Sequence, residues 1–204
     1  MTMRIAVYGA TGMIGGRVVA EALSRGHEVT GITRTGGQSP AGGQEIQGDA
    51  GDPGLAKRIA AESDVVVSAI GPSRTGGDRR EYLARLRNLA ETLGDARLLV
   101  VGGAGSLLVD GTRLLDLPGF PEIYRDEALI GAEALDYLRG LGEGIDWTYL
   151  SPPPVIQPGE RTGVYIIGDD SPVGESISAE DYAVALLDEI DRSAHHRCRF
   201  TVAN

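Results

Sequence analysis

The run Gly9-Ala10-Thr11-Gly12-Met13-Ile14-Gly15 follows a β-branched, apolar stretch at residues 4–8 and opens a helical pattern that continues to about Arg25. A strand, a glycine turn and a helix in immediate succession leave few folds open. The first helical N–H groups have no partner within the helix, and the dipole places positive charge there, so such a turn suits a pyrophosphate. Gly9 permits the tight turn, Gly12 a close approach of backbone to phosphate, and Gly15 close packing of helix on strand. Thr11, Met13 and Ile14 present the intervening backbone, and the six residues form the first candidate cofactor-binding set. The spacing is G-x-x-G-x-x-G, not the G-x-G-x-x-G of the dehydrogenase fingerprint.

The same alternation continues along the chain. Further strands are expected at 27–33, 45–47, 64–70, 97–101 and 146–150. Between them, Gly26 should stop the first helix and a loop should span 36–43. Asp52-Pro53 should cap and start the second helix, and Tyr82, Leu83, Leu86, Leu89, Ala90 and Leu93 should form the buried stripe of the third. A fourth helix should begin near Pro121 and bury Leu129, Ala132, Leu135 and Leu138. Such alternation gives an α/β, doubly wound parallel sheet, expected in the order 3-2-1-4-5-6. The last fifty or so residues, 151–204, read as a small C-terminal extension that adds substrate-side segments. It should hold a strand near 164–167, a helix opened by a capping box at Ser178 to Asp181, and a last strand at 199–202. One domain is expected over 1–204.

Composition narrows the function classes. The 204 residues carry a net charge of −10, which argues against nucleic-acid partners. Arg79, Arg80, Arg85 and Arg87 form the densest basic cluster, expected on a solvated helix face. No apolar run is long enough to span a bilayer, and Met1 runs straight into a strand with no leader, so no membrane partner is expected. The single cysteine, Cys198, forms no internal disulfide, and no His, Cys or acid cluster has metal-ligand spacing. These features suggest a cytoplasmic protein without a metal and leave the oligomeric state open.

The end of the second strand discriminates between cofactors. An NAD site usually places a carboxylate there; this chain has Thr33-Arg34-Thr35. A guanidinium matches a 2′-phosphate in charge and geometry, so NADPH is favoured over NADH. Asp49 is either an acceptor for the adenine amine or a turn residue. Ligands of such sheets bind beyond the C-terminal strand ends. That places Ala69, Ile70, Gly71 and the following Ser73 near the ribose, Gly103 within the loop after the fifth strand, and Ser151, Pro152 and Pro153 along the nicotinamide.

The glycine run resembles that of the NmrA-like atypical short-chain dehydrogenases. Residues 21–29, 100–107, 147–152, 158–163 and 176–183 narrow the resemblance to the NADH-flavin reductase group, relatives of flavin/biliverdin-IXβ reductase. The resemblance implies a Rossmann-like fold, NAD(P)H binding and reduction of a flavin or quinone-like acceptor. Ordinary short-chain dehydrogenases use a Tyr-x-x-x-Lys pair. Here the single lysine, Lys57, has no tyrosine four residues before it, and Tyr124 is followed by Ala128 in the lysine's place. A conjugated acceptor tolerates that loss, because its reduced form is delocalised and takes a proton from water. The chain is then a reductase in which orientation supplies much of the rate. Ser106 and Tyr124 are the candidate proton donors, and Arg161 and Tyr165 could border the acceptor. Two alternatives stand: a non-catalytic NAD(P)-sensing regulator of the NmrA-like type, and a biosynthetic carbonyl reductase or epimerase.

Overall fold

The computed structural model describes residues 1–36, 42–72, 78 and 80–204. Most of the expected 36–43 loop, Ser73 and Arg79 lie outside them.

The chain alternates β1 (Arg4–Tyr8), α1 (Met13–Ser24), β2 (Glu28–Thr33), β3 (Gln44–Gln47), α2 (Pro53–Ala61), β4 (Val65–Ser68), α3 (Arg80–Glu91) and β5 (Arg97–Val101). A hairpin, β6 (Leu108–Val109) with β7 (Thr112–Arg113), and a 3-10 turn (Leu114–Asp116) lead into α4 (Glu122–Arg139). Then come β8 (Trp147–Ser151), β9 (Val155–Gln157), β10 (Ile166–Gly168), β11 (Ser176–Ser178), α5 (Ala179–Arg192) and β12 (Cys198–Ala203). The main sheet runs β3-β2-β1-β4-β5-β8-β12-β10, parallel except for the edge strand β10. The expected order of six strands is present, and the extension lengthens the same sheet by two.

Period-two alternation splits the strand side chains between two layers. Tyr8, Val66, Leu98, Val100, Trp147 and Tyr149 pack with α2, α3 and α4. Ile5, Val7, Val67, Leu99, Leu150 and Phe200 pack with α1 and α5. Helix ends follow the local chemistry. Gly26, at φ +81°, follows the α1 C-cap, and His27 N–H donates to Ala22 O while Gly26 N–H donates to Leu23 O. This is the Schellman pattern, which only a left-handed residue closes without strain. Asp52 accepts from the Gly54 and Leu55 N–H groups at the start of α2, with Pro53 at the first helical position.

Three expectations need correction. Leu129 is 37% exposed, because α4 turns Ala132, Ala134, Leu135 and Leu138 inward instead. Only half of the capping box forms: Ser178 Oγ accepts from Asp181 N–H, but Ser178 N–H donates to Asn204 Oδ1. The Asp181 carboxylate is drawn to Thr162, Gly163 and Asn204. The basic cluster is not a uniformly solvated face. Arg85 pairs with Asp49 and Glu81, and Arg87 lies 5.2 Å from the centre of the Tyr137 ring.

Candidate functional site

The chain passes from β1 outward through β2 to β3, then crosses to β4 on the other side of β1. The crevice at this reversal lies beyond the C-terminal ends of β1 and β4, where doubly wound sheets bind ligands. Gly9 occupies it at φ +83°, and a Cβ there would lie 2.6 Å from the Ala69 carbonyl oxygen. Its N–H donates to Ile32 O at 3.0 Å, tying the turn to the end of β2. A Cβ on Gly15 would lie 2.1 Å from Gly9 O, so α1 rests directly on the turn. The α1 N-cap is Gly12, with no side-chain cap and no acid in the first turn. The N–H groups of Met13, Ile14 and Gly15 therefore have no partner within the helix and no acidic side chain of the first turn beside them. Thr11, Gly12 and Met13 are exposed and Ile14 half-buried. Together the turn forms a cradle of bare backbone whose donors fit a pyrophosphate.

Thr33 and Arg34 stand beside this cradle. Thr33 is buried and its carbonyl accepts from Gly48 N–H at 2.9 Å. Arg34 is exposed, and no ion pair holds its guanidinium among the described residues. Asp49 Oδ1 accepts from Gly51 N–H and Arg85 Nε, and Oδ2 accepts from Arg85 Nη2. The Arg85 bonds hold its carboxyl below the usual range, with Arg34 adding to the effect. Asp49 is thus a turn residue and an ion-pair partner whatever else it contacts. Ala69 and Ile70 are half-buried and Gly71 exposed.

A second group gathers beyond β5 and β8. Gly103 N–H donates to Tyr149 Oη at 3.1 Å, and that hydroxyl donates to Gly131 O of α4 at 3.0 Å. Burial pushes the Tyr149 phenol up to about 12, so it stays protonated and can serve both bonds. Ser106 is buried and accepts from Arg199 Nη1 at 3.0 Å, while the same guanidinium grips Asp170. Ser151, Pro152 and Pro153 are buried, and the Ser151 hydroxyl has no hydrogen-bond partner among the described residues. Tyr124 is 58% exposed on the first turn of α4, one turn before Ala128, which meets the loop at Gly105. The structure does not join Ser106 to Tyr124: one hydroxyl is enclosed with a guanidinium, the other faces outward. Arg161 and Tyr165 lie elsewhere, bonded to Glu21 on α1 and Asp188 on α5.

Sequence reasoning missed Tyr149, Arg199 and Arg85. Tyr149 reads as an ordinary core position in a strand. Arg199 carried a usable signal, since a charged side chain interrupts the apolar strand 198–203. No helix among the described residues is long and apolar enough to cross a membrane. No group of three or more His, Cys, Asp or Glu residues among them could hold a metal ion.

Known proteins resemble this chain along its whole length. The NAD(P)H-binding family matches residues 9–193. YwnB, an uncharacterised protein of Bacillus subtilis, is 40% identical over 215 residues, covering 99% of each chain. The crystal structure of a candidate NADH-flavin reductase from Streptococcus pneumoniae is 36% identical, covers 99% of each chain and superposes with a TM-score of 0.91. That of a candidate exported protein from Burkholderia pseudomallei is 39% identical, covers 100% of each chain and gives a TM-score of 0.89.

Proposed function

The chain belongs to the NAD(P)H-binding family as an NmrA-like, atypical short-chain dehydrogenase, and from that premise we propose an NADPH-dependent reductase of flavins, quinones or similar conjugated acceptors. The observation that carries the reading is the uncapped α1 N-terminus, walled by glycines that leave no room for a Cβ against Ala69 and Gly9. Gly9, Thr11, Gly12, Met13, Ile14 and Gly15 hold the pyrophosphate. Thr33 and Arg34 take the adenosine ribose and its 2′-phosphate, with Asp49 beside the adenine. Ala69, Ile70 and Gly71 border the ribose, and Gly103, Ser151, Pro152 and Pro153 the nicotinamide. When bound, NADPH supplies the electron pair with its hydrogen.

The protein's own part is to hold the acceptor flat against the nicotinamide and keep water from between them. Protonation of the reduced acceptor comes from solvent or from Tyr124, the more accessible of the two hydroxyl candidates. Ser106 is committed to Arg199 as an acceptor and serves better as part of the wall. The family likeness to a candidate NADH-flavin reductase supports the choice of acceptor. The reading takes 1–204 as one domain, with 151–204 on the acceptor side, acting in the cytoplasm on small molecules.

The test is calorimetric titration of NADPH and NADH into the wild-type and Arg34→Asp proteins, followed by turnover with FMN and menadione. NADPH should bind at least tenfold more tightly than NADH, and Arg34→Asp should abolish the preference. Reduction should exceed the free-solution rate, and Tyr124→Phe should keep more than a third of it. Loss of nearly all activity in Tyr124→Phe would shift the reading to carbonyl chemistry with an obligatory acid. Tight nucleotide binding with no turnover would replace the reductase with a sensor.

A further inference from the structure

Beyond the ends of β2 and β3, opposite charges leave the sheet side by side. Thr33 and Gln47 are register partners in this parallel pair, so Arg34 and the Gly48–Asp49 step follow them on adjacent paths. The two segments are bonded to each other: Gly48 N–H donates to Thr33 O at 2.9 Å, and Gln47 Nε2 donates to Arg34 O at 3.2 Å. Adjacent strands lie about 4.8 Å apart, close enough for a guanidinium and a carboxylate to attract. Arg34 accordingly helps to hold the Asp49 carboxyl below its ordinary range. Yet Asp49 is claimed from the other side, by Arg85 of α3. Arg85 Nε donates to Oδ1 at 2.8 Å and Nη2 to Oδ2 at 3.1 Å. Its remaining nitrogen, Nη1, pairs with Glu81 one helical turn earlier at 3.1 Å. The turn does not depend on the Arg85 pair alone for its shape. Asp49 Oδ1 also accepts from Gly51 N–H, Asp52 N–H donates to Asp49 O, and Asn88 Nδ2 donates to Ala50 O at 2.6 Å.

We infer that Arg85 is a positioning residue for cofactor choice: by holding Asp49 it keeps the Arg34 guanidinium unpaired and available to a 2′-phosphate. This rests on the reading above of Arg34 as the ligand of that phosphate. A carboxylate left unclaimed beside Arg34 would pair with the guanidinium and repel the phosphate. It would also accept from a ribose hydroxyl, which is how a carboxylate at such a site favours NADH. Arg85 prevents both without touching the nucleotide, since all three of its nitrogens are committed to Asp49 and Glu81. Asp49 and Arg85 are half-buried, so solvent screens their charges only in part.

The experiment measures NADPH and NADH Kd by calorimetry for wild type, Arg85→Met, Asp49→Asn, the double variant and Glu81→Gln, with Tm read first to check folding. Methionine keeps the aliphatic stem beside Gly51, where a Cβ would lie 3.6 Å from Arg85 Cγ. Arg85→Met should cut the NADPH preference about fivefold or more, by raising NADPH Kd while NADH Kd stays within about threefold of wild type. Asp49→Asn alone should hold the preference at or above the wild-type ratio. The double variant should return it to within about twofold of wild type, a rescue that a merely disordered turn would not give. Glu81→Gln should leave the preference unmoved, because Asp49 stays paired. Should Arg85→Met not fold, Arg85→Gln replaces it in the single and the double variant. If Arg85→Met keeps the preference, or weakens both nucleotides alike, or if the double variant stays as impaired as the single, the inference is overturned; Arg34→Asp then still decides the reading of Arg34 by itself. If wild type binds NADPH and NADH equally, the reading of Arg34 fails and the inference falls with it, whatever the turnover of acceptors.

Discussion

A methyl group at position 15 would sit 2.1 Å from the Gly9 carbonyl oxygen and 2.7 Å from its carbon, distances that no rotamer change can relieve. Both neighbours are backbone, so α1 must lift off β1 or the turn must open. One residue on, a methyl at position 16 would lie 3.4 Å from Ala10 O, and the helix interior favours alanine over glycine there. Gly15→Ala should therefore cost about 2–3 kcal/mol, as overpacking does elsewhere, and weaken NADPH binding. Gly16→Ala should be neutral or gain a few tenths of a kcal/mol. Urea denaturation of the two variants checks this pair; equal losses would show that the close approach of helix to turn is not what the third glycine provides. The same scale explains why Asp49 stayed ambiguous in the sequence. A carboxylate in a Gly-Asp-Ala-Gly stretch fits a turn and a ligand equally well, and only the fold shows Arg85, 36 residues away, lying across it.

Asp181 shows how a single side chain organises an element. It sits fully buried at the third position of α5 and accepts from Thr162 N–H, Thr162 Oγ1, Gly163 N–H and Asn204 Nδ2. Those bonds tie the helix start to the 160–164 segment and to the last residue. Replacing it with alanine strands several donors at once, so Asp181→Ala should lose roughly 3 kcal/mol, whereas Ser178→Ala, a lost N-cap, should lose about 1. Chemical denaturation separates the two; comparable losses would mean that the carboxylate acts only as a cap. Elements with a local signature were legible in the sequence: the Gly26 stop, the Asp52-Pro53 start, the α3 stripe and the apolar strands. The hairpin at Leu108–Arg113 and the β9–β11 pair were not, because two- and three-residue strands carry no period to read. The glycine turn before α1 was legible for the same reason as the elements, being contiguous. Beyond β5 and β8 the sequence pointed to Gly103, Ser106 and Ser151 by position, but not to the bonds made there, since Ser106 with Arg199 and Tyr149 with Gly131 are matched across the fold and leave no local pattern.

Over the whole molecule the net charge of −10 sets two opposing responses to acid. Protonation relieves self-repulsion, which favours the folded state. It also discharges carboxylates that the fold holds ionised by pairing. Glu21 is 6% exposed and accepts from Arg161 and Arg25, and those bonds keep its carboxyl below the ordinary value. Burial of Glu189 opposes its ionisation, yet the bonds from His195 and Arg97 bring it below the ordinary value too. For a group depressed in the folded state, the contribution is complete above the unfolded value, near 4.5, and disappears as pH falls through the folded value. Exposed pairs such as Arg4–Asp64 are screened and add little. Buried pairs therefore decide the outcome: the urea midpoint should stay level from about pH 8 to 5 and fall steeply below about pH 4. Glu21→Gln should be less stable than wild type at pH 7, because Arg161 then loses its paired carboxylate and Arg25 keeps only Asp188 and Asp191, and its deficit should shrink on acidification as wild type loses the same charge. Denaturation curves at pH 7, 5 and 3 measure that convergence, and a deficit that stays constant across the three would show that Glu21 contributes through packing and not through its charge.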